Sequence, residues 1–421
     1  MLDLKLVRDD PDRVRAALAR RGPGVGDLVD RLLELDASRR ALVTGVDALR
    51  SEQKRRGKDV AKAAPEERPT VLAGLKELAA RIDELETRLR AVEAELADVQ
   101  ARVPNLPDPS VPDGGEEDAV EIRRSGEPPT FDFQVRDHVE LGELLGAIDT
   151  VRAAKVSGAR FGYLTGPGAM LELALVRFAM DRLTGAGFTP VIPPVLVRRE
   201  AMYGTGFLPT DEQQLYRVAD DDLYLVGTSE VPLVSYHADE ILDPGTLPRR
   251  YAGFSSCFRR EAGSYGKDTR GIFRVHQFDK VEMVSFVVPE ASRDEHEFLL
   301  AREEEILGAL EIPYRVVNIA AGDLGASAAK KYDCEAWIPS QGTWRELTST
   351  SNCTDYQARR INCRVREADG NRPVHTLNGT AVAVGRTIIA LLENHQMADG
   401  SVRVPAALQP YLGADVIPLA K

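Results

Sequence analysis

The sequence predicts an α+β fold in which an N-terminal antiparallel two-helix coiled-coil arm precedes a larger domain built on a largely antiparallel sheet. Three observations predict it. Apolar residues recur at heptad spacing in the first hundred residues, a proline- and glycine-rich segment follows, and aromatic, β-branched and turn-forming residues become frequent beyond that segment. A sustained heptad keeps one seam of a helix facing a partner helix, whereas short strand patterns interleaved with helices are typical of an α+β domain.

The arm is predicted over residues 1–103, with the coiled-coil hairpin at about 27–103. Its second half repeats apolar residues at spacings that alternate between four and three: Val71, Leu75, Leu78, Ile82, Leu85, Leu89, Val92, Leu96 and Val99. A weaker series comprises Leu28, Leu32, Leu35, Leu42, Val46 and Leu49, with Arg39 and Gln53 where apolar residues are expected. Pro65 and Pro69 lie between the two series, so the chain is predicted to reverse within 57–70 and the helices to pair antiparallel.

A proline- and glycine-rich segment at 104–130 separates the arm from the larger domain. It contains Pro104, Pro107, Pro109, Pro112, Pro128 and Pro129 together with Gly114 and Gly115. Because proline ends helices and removes a backbone donor, this segment is predicted to be an irregular connector. The larger domain is predicted over residues 131–421, with helices such as 170–183 and 292–310 among short strands.

The chain of 421 residues has a formal net charge of −12. This balance excludes a protein that coats nucleic acid indiscriminately, because neutralising phosphates needs a surplus of lysine and arginine. A local exception lies beside the predicted reversal of the arm, where basic residues cluster at Arg50, Lys54, Arg55, Arg56, Lys58 and Lys62. From the residues alone, this basic cluster is either a solvated helix face or a surface that binds phosphate groups.

No segment predicts secretion or membrane insertion. The first ten residues contain charged side chains throughout and lack the apolar core and cleavage site of a signal peptide. The best apolar run, 381–392, is short and contains Arg386, so no membrane-spanning helix is expected. The cysteines form no CxxC pair and the histidine spacing does not suit zinc; the cysteines are Cys257, Cys334, Cys353 and Cys363. We therefore predict a cytoplasmic protein with buried, reduced thiols and no zinc.

The segment 254–283 predicts two strands joined by a glycine-rich loop at about 262–271. In the first strand, Arg259 and Glu261 share a side because they are two residues apart. One face of the second strand is predicted to contain Arg274, His276, Phe278, Lys280 and Glu282, and the other Val275, Val281 and Met283. Because unpaired buried charges are costly, the charged face either binds a polar ligand or lies in solvent as a network of salt bridges.

The letters of this strand pair, FRREAGSYGKDTRGIFRVHQFDKVE, resemble motif 2 of class II aminoacyl-tRNA synthetases in the form seen in bacterial-type seryl-tRNA synthetases. GFTPVIPPVLV at 187–197 is similar to motif 1, and LNGTAVAVGRTIIALLE at 377–393 is similar to motif 3. GTSEVPL at 227–233 and RELTSTSNCTDYQARR at 345–360 are also similar to family segments. The resemblance covers nearly the whole chain and implies that the larger domain is a class II catalytic domain.

The resemblance also implies ATP as a cofactor and assigns residues to it. Those implied to be catalytic are Arg259, Glu282 and Arg386. Those implied to bind ATP are Arg259, Arg260, Glu261, Arg274, Val275, His276, Gln277, Phe278, Glu346, Leu347, Thr348, Ser349 and Arg386, with Phe278 stacking on adenine and with Mg²⁺ held by Glu346 and Ser349. The residue types suit the chemistry, because bringing a carboxylate to a phosphate requires fixed cations and because hard oxygen ligands suit Mg²⁺.

For serine, the resemblance implies a site made by Thr228, Ser229, Glu230, Arg259, Glu282, Asn378 and Thr380. Thr380 and Thr348 stand where the family more commonly has serine, which leaves the discrimination of serine from threonine or glycine open. Taken singly, each assignment has a structural alternative. Arg386 suits an ordinary helix surface, Phe278 a core position and Thr380 a turn.

The resemblance implies three partners: L-serine, tRNA(Ser) gripped through its long variable arm by the basic cluster, and a second copy of the chain in a homodimer built on motif 1. The implied reaction forms seryl-adenylate and pyrophosphate and then transfers serine to the 3′ end of tRNA(Ser), and also of tRNA(Sec). Two alternatives remain. One is a paralogue that activates an amino acid for a carrier protein or an antibiotic pathway, and the other is a non-catalytic RNA-binding relative.

Overall fold

The structure is a computed structural model that describes residues 1–60, 62–263, 266, 268 and 270–421. Four positions of the loop predicted at 262–271, namely 264, 265, 267 and 269, lie outside the described residues. The described chain forms two compact units. One comprises residues 2–106, and the other contains residues 107–421.

The α-helices of the described residues are α1 (Leu4–Asp9), α2 (Pro11–Ala19), α3 (Leu28–Val60), α4 (Arg68–Arg102), α5 (His138–Leu144), α6 (Thr150–Ser157), α7 (Pro167–Gly185), α8 (Arg199–Thr205), α9 (Glu230–Ser235), α10 (Ser292–Ala309), α11 (Tyr356–Arg360), α12 (Val384–Asn394) and α13 (Gln409–Leu412). The strands are β1 (Val120–Ser125), β2 (Ile148–Asp149), β3 (Tyr163–Leu164), β4 (Thr189–Val191), β5 (Leu196–Arg198), β6 (Tyr216–Val218), β7 (Leu223–Leu225), β8 (Ile241–Leu242), β9 (Arg249–Phe258), β10 (Gln277–Val287), β11 (Tyr314–Asn318), β12 (Lys330–Ile338), β13 (Thr343–Asn352), β14 (Arg364–Glu367), β15 (Gly370–Pro373), β16 (His375–Ala383), β17 (Val402–Arg403) and β18 (Val416–Ile417). The helices predicted at 170–183 and 292–310 correspond to α7 and α10.

In the N-terminal unit, α3 and α4 pack against each other along their lengths. Every position of the predicted heptad in α4 is buried or half-buried, as the seam of a helix pair requires. The predicted reversal is confirmed but shorter than expected, because α3 continues through Gly57 to Val60 and α4 begins at Arg68. At about 1.5 Å per residue, each helix extends on the order of 50 Å.

Arg39, which interrupts the apolar series of α3, has a structural partner. Its Nη2 donates to Oδ1 of Asp36 at 3.1 Å, and Asp36 is only 1 % exposed. Arg8 and Arg40 donate to the other carboxylate oxygen of Asp36 at 3.1 and 3.0 Å. A buried carboxylate is tolerated when it is paired and hydrogen-bonded, so the arginine completes an ion cluster at the seam.

The larger unit is built on an eight-stranded sheet with strand order β1-β11-β12-β13-β16-β10-β9-β4. All neighbouring strands in it are antiparallel except β4 and β9, which run parallel. The prediction that 104–130 is an irregular connector is wrong in part, because β1 forms the edge strand of this sheet. Val120–Ser125 alternates β-branched and charged residues and so fits a strand that is exposed along its length.

Helix α10 packs beneath β13 and β16. Thr348 of β13 donates to Glu303 of α10 at 2.7 Å, and Asn352 donates to the carbonyl of Ser292 at 3.1 Å. The even-numbered side chains at this end of β13 therefore face the helix. Side chains on the opposite face of the same strands line a cavity.

Candidate active site

The cavity has a volume of about 320 Å³ and lies on the face of the central strands opposite α10. Strands β10, β13 and β16 form its floor, and the segments that follow β9 and precede β10 form part of its wall. Most of its polar lining is charged. The charged lining residues are Glu230, Arg259, Glu261, Arg274, Lys280, Glu282, Lys331, Glu346 and Arg386. The predicted charged face therefore surrounds a cavity and is not a solvent-exposed network of salt bridges.

On β10, Phe278, Lys280 and Glu282 line the cavity, as the alternation predicts. The alternation does not extend further back, because β10 begins only at Gln277. Arg274 still lines the cavity and so does Val275, which alternation placed on the other face, whereas His276 is not among the lining residues. Its Nδ1 lies 3.0 Å from the carbonyl oxygen of Arg259, and its ring packs 5.3 Å from that of Phe161.

Arg259 and Glu261 lie just beyond β9, which ends at Phe258, so strand periodicity does not explain why both line the cavity. Glu261 has a left-handed backbone conformation with φ of 50°. Its carboxylate accepts from Nη1 of Arg274 at 2.7 Å. Arg259 is held by a hydrogen bond from its Nε to the carbonyl of Gly227 at 3.1 Å, and its guanidinium carbon lies 5.3 Å from the centre of the Phe278 ring.

A bulge in β13 decides which of its side chains enter the cavity. Glu346 pairs with Glu335 and Thr348 with Cys334, so Leu347 is the extra residue. The bulge shifts the alternation by one and places Glu346 on the same face as Ser349 and Ser351. All three line the cavity.

Arg386, at the start of α12, holds Glu346 in place through two hydrogen bonds. Its Nη1 donates to the carbonyl of Glu346 at 2.9 Å and to Oε2 at 3.2 Å. Although burial opposes ionisation, the positive charges of Lys331 and Arg386 lower the pKa of Glu346 to about 2. Glu346 is therefore anionic at neutral pH.

The deepest polar side chains of the cavity, called here the buried group, are Thr228, Glu230, Lys280, Glu282, Asn378 and Thr380. Glu282 forms a close ion pair with Lys280, and Thr380 donates to Glu282 at 3.4 Å. Burial raises the pKa of Glu282, and Lys280 opposes that rise.

Glu230 is the second carboxyl of the buried group. Its Oε1 accepts from Nε2 of Gln357 at 2.6 Å and from Nδ2 of Asn378 at 2.9 Å. Burial, together with the negative charge of Glu282, raises its pKa to about 7. Burial disfavours the charged form of both carboxyls even though Lys280 and Arg259 oppose this effect, so the buried group favours a further cationic ligand.

Besides His276, three predicted site residues are not among the lining residues of the cavity, namely Ser229, Arg260 and Gln277. The Ser229 hydroxyl lies 2.7 Å from that of Ser255 and is fully buried away from the cavity lining. Thr348 lines the cavity but donates its hydroxyl to Glu303 of α10, so this hydroxyl is not directed at the expected serine site. Arg260 and Gln277 are exposed and are not among the lining residues. The bulge at Leu347 explains the direction of the Thr348 hydroxyl, because it interrupts the alternation that would otherwise place Thr348 on the same strand face as Glu346.

Sequence reasoning missed several lining residues, among them Phe273 and Lys331. Phe273 lies beneath two guanidinium groups, whose central carbons are 4.0 Å (Arg345) and 4.9 Å (Arg386) from its ring centre. Nothing in the sequence distinguishes it from a core phenylalanine. Lys331 donates to Asp333 at 3.0 Å and lies 3.9 Å from Glu346. Lys331, Asp333 and Glu335 are charged at every second position, and this spacing is a signal for a charged strand face.

This fold and this cavity define a class II aminoacyl-tRNA synthetase core. Residues 215–395 match the family model of the tRNA synthetase class II core domain (G, H, P, S and T). Residues 1–107 match that of the seryl-tRNA synthetase N-terminal domain. The chain belongs to the seryl-tRNA synthetase family, the enzymes that ligate serine to tRNA, and the resemblance noted from the motifs is confirmed.

Full-length relatives support the assignment. The chain is 57% identical over 418 residues to a serine–tRNA ligase of Nocardia farcinica, with 99% of each chain covered. It is 58% identical over 417 residues to that of Acidothermus cellulolyticus, with the same coverage. A crystal structure of seryl-tRNA synthetase from Pyrococcus horikoshii complexed with ATP superposes with a TM-score of 0.94 at 45% identity, covering 100% of both chains. The cytoplasmic serine–tRNA ligase of Naegleria fowleri in complex with AMP gives 0.89 at 33% identity, covering 100% of this chain and 99% of that one.

Among the helices that the structure describes, none combines the length and apolar character needed to cross a membrane.

Proposed function

We propose that the cavity binds ATP and L-serine side by side, forms seryl-adenylate, and then transfers serine to the 3′ end of tRNA(Ser). The observation that supports this most is the place of Arg259. Its positive charge acts on Glu230 and Glu282 of the buried group, where it opposes the rise in their pKa, and also contributes to the low pKa of Glu346. One planar, permanently charged group thus lies close enough to act on both the buried group and Glu346.

In the proposed first step, a carboxylate oxygen of serine attacks the α-phosphorus of ATP. The bond from that phosphorus to the bridging oxygen of the β-phosphate breaks, and pyrophosphate leaves. Arg259 would hold the serine carboxylate and the α-phosphate together, while Phe278 stacks on the adenine. Positioning and fixed positive charge lower the barrier to this step. The serine carboxylate and the α-phosphate repel each other, and negative charge moves toward the leaving pyrophosphate.

The buried group would hold the amino acid. Its carboxyls, Glu230 and Glu282, match the serine ammonium, and Thr380 lies 3.4 Å from Glu282, within reach of the small serine hydroxyl. In the second step a ribose hydroxyl of the terminal adenosine attacks the seryl carbonyl and AMP leaves. Transfer to tRNA(Sec) remains a prediction.

Glu346 and Ser349 fit a magnesium ion. They share one strand face in the cavity, and Glu346 is anionic because of its low pKa. Carboxylate and hydroxyl oxygens are ligands that Mg²⁺ accepts alongside phosphate oxygens. A bound Mg²⁺ would neutralise charge on the phosphates, while Arg386 and Arg274 would contact the phosphate oxygens beyond it.

The exposed basic cluster of the arm is proposed to grip the long variable arm of tRNA(Ser). Arg50 is ion-paired with Glu86 at 2.7 Å and Arg56 with Glu52, whereas Lys54, Arg55 and Lys58 extend from α3 as exposed side chains. Exposed lysine and arginine side chains suit contacts to RNA phosphates, and such contacts recognise the shape of the RNA backbone and not its base sequence.

A homodimer is proposed around motif 1, at 187–197. Large apolar side chains are exposed there and on the neighbouring elements, including Ile192 at 84 %, Val151 at 76 % and Leu173 at 60 %. Exposed apolar groups clustered on a few elements are typical of a protein interface. A cytoplasmic location is proposed as well, because its tRNA partner is there and all four cysteines are free thiols.

Serine-dependent ATP–pyrophosphate exchange, followed by charging of tRNA(Ser) with labelled serine, tests the proposal. We expect both activities. Exchange without charging would favour a paralogue that activates an amino acid for another acceptor, and the absence of exchange would favour a non-catalytic RNA-binding protein.

The role of the arm is tested by reversing charge at its tip. The double variant Arg55→Glu, Lys58→Glu should weaken charging about tenfold or more, because it replaces phosphate attraction by repulsion, and should leave exchange unchanged. The matched control is Lys5→Glu, Arg13→Glu, which reverses two exposed charges on α1 and α2 at the other end of the same unit. Equal losses of charging and exchange at the tip would contradict a separate RNA-binding arm.

A further inference from the structure

Two buried side chains outside the cavity, His138 and Glu393, hold the segment that leads from the glycine-rich loop into β10. His138 begins α5 and is 5 % exposed, and Glu393 lies near the end of α12 and is fully buried. His138 lies outside the family motifs, and Glu393 is the last residue of motif 3.

The two residues are joined to each other and to the loop segment by hydrogen bonds. Oε1 of Glu393 lies 3.2 Å from Nδ1 of His138 and accepts from the His138 backbone amide at 3.0 Å. Its Oε2 accepts from the amide of Ser340 at 3.0 Å. The backbone amide of Ile272 then donates to Nε2 of His138 at 3.3 Å.

These contacts fix the tautomer of His138. An amide can donate only to an unprotonated ring nitrogen, so Nε2 holds the lone pair and Nδ1 holds the proton that it donates to Glu393. A carboxylate that orients an imidazole in this way fixes both its tautomer and its ring plane.

The loop segment is also packed tightly against the ring. Gly271 has φ of +79°, and a Cβ at this position would lie 2.0 Å from Nε2 of His138. The residue after Ile272 is Phe273, whose ring lies beneath the guanidinium of Arg386. The contact of His138 with Ile272 is thus one residue away from the aromatic support of a cation proposed to bind phosphate.

We propose that His138, oriented by Glu393, is a positioning residue for ATP: it fixes Ile272 and Phe273 and, through Phe273, the guanidinium of Arg386. This inference rests on the proposed function, because it assigns a role toward the nucleotide of that site. It implies that loss of the acceptor at Nε2 weakens ATP binding more than serine binding.

Two near-isosteric substitutions distinguish the effect of the hydrogen-bond acceptor at Nε2 of His138 from the effect of the size of its ring. His138→Asn keeps a donor near the Nδ1 position but loses the acceptor for Ile272, whereas His138→Gln places a carboxamide oxygen near the Nε2 position. We expect the Asn variant to raise the KM for ATP in exchange by about tenfold, because a buried amide loses its acceptor, with the KM for serine within about twofold. The Gln variant should recover most of the loss.

Hydrogen–deuterium exchange at the Ile272 amide gives a readout that does not depend on catalysis. It should be faster in the Asn variant than in the wild type and close to wild type in the Gln variant. His395→Asn is the matched control, since His395 is a buried histidine that contacts the Leu310 carbonyl at 3.0 Å and does not line the cavity. It should leave both readouts unchanged.

Gly271→Ala tests the same contact from the loop side and should also raise the KM for ATP. This variant provides the test if His138→Asn does not fold. Unchanged ATP kinetics and unchanged Ile272 exchange in folded His138→Asn would overturn it, as would equal impairment of the Asn and Gln variants. A wild type without ATP–pyrophosphate exchange would instead overturn the proposed function, while the Ile272 measurement would still report on the contact.

Discussion

The substitution Glu230→Gln is predicted to stabilise the fold and to impair serine binding. The side-chain oxygen of a glutamine at position 230 can accept the hydrogen bonds from Gln357 and Asn378 that Oε1 accepts in the wild type. The glutamine NH₂ group would then replace Oε2, the oxygen proposed to face the serine ammonium. The variant removes a buried carboxyl whose pKa is raised from the usual 4.5 to about 7, mainly by burial and then by Glu282.

The sign and size of the stability change follow from linkage. The folded state binds the Glu230 proton more tightly than the unfolded state does, so the stability from this group is full below about pH 4.5 and is lost as pH rises through about 7. At pH 8 the ionised carboxyl costs about 3 kcal/mol, which the neutral amide avoids. The gain in unfolding free energy should therefore be largest at pH 8 and fall to about 1 kcal/mol at pH 5.

Serine binding should change in the opposite direction. Loss of a charged partner for the serine ammonium costs about 1.5 to 3 kcal/mol, which corresponds to a rise in the KM for serine of roughly ten- to a hundredfold. Urea titrations at pH 5 and pH 8, together with exchange kinetics, measure both effects. Glu143→Gln, at an exposed carboxyl of α5, is the control and should change neither. A Glu230→Gln protein that is no more stable at pH 8, or that keeps its KM for serine, would refute the reasoning.

Four further substitutions test the cavity and the proposed dimer interface. Arg259→Lys keeps the charge but loses the planar fork, so ATP–pyrophosphate exchange should fall at least about a hundredfold while the circular dichroism spectrum stays native; near-normal exchange would contradict the bridging role. Ser349→Ala should raise the Mg²⁺ concentration needed for half-maximal exchange, whereas Thr348→Ser should change neither substrate KM, because serine keeps the hydroxyl that donates to Glu303. Ile192→Asp should convert the proposed dimer to a monomer in light scattering, and a persistent dimer would place the interface elsewhere.

Much of the fold was predictable because its signals are local. The heptad of α4 and the prolines of the reversal act within a few residues of the chain, and they specified a pair of helices that the structure contains. On β10, Phe278, Lys280 and Glu282 follow simple alternation and line the cavity as predicted. The connector was mispredicted because β1 takes its partner from β11, nearly two hundred residues later in the chain.

The candidate site was only partly predictable, because two long-range effects decide it. Alternation along β13 cannot reveal that Leu347 is an extra residue, since a bulge depends on how β12 pairs with β13. Ser229 differs in another way. Its neighbours Thr228 and Glu230 line the cavity, while its own hydroxyl faces Ser255 of β9, a contact that forms only when the chain is folded.

By itself, the sequence determined the helical arm, the charged strand face and the motifs that mark a seryl-tRNA synthetase, because these are patterns of side chains spaced by the helix and strand periods. Only the tertiary structure decided which carboxylates share a cavity, which hydroxyls are turned away from it, and that His138 supports the segment before β10. The reason is that strand register, bulges and burial depend on partners far apart in the chain, and these partners set both the direction of a side chain and its pKa.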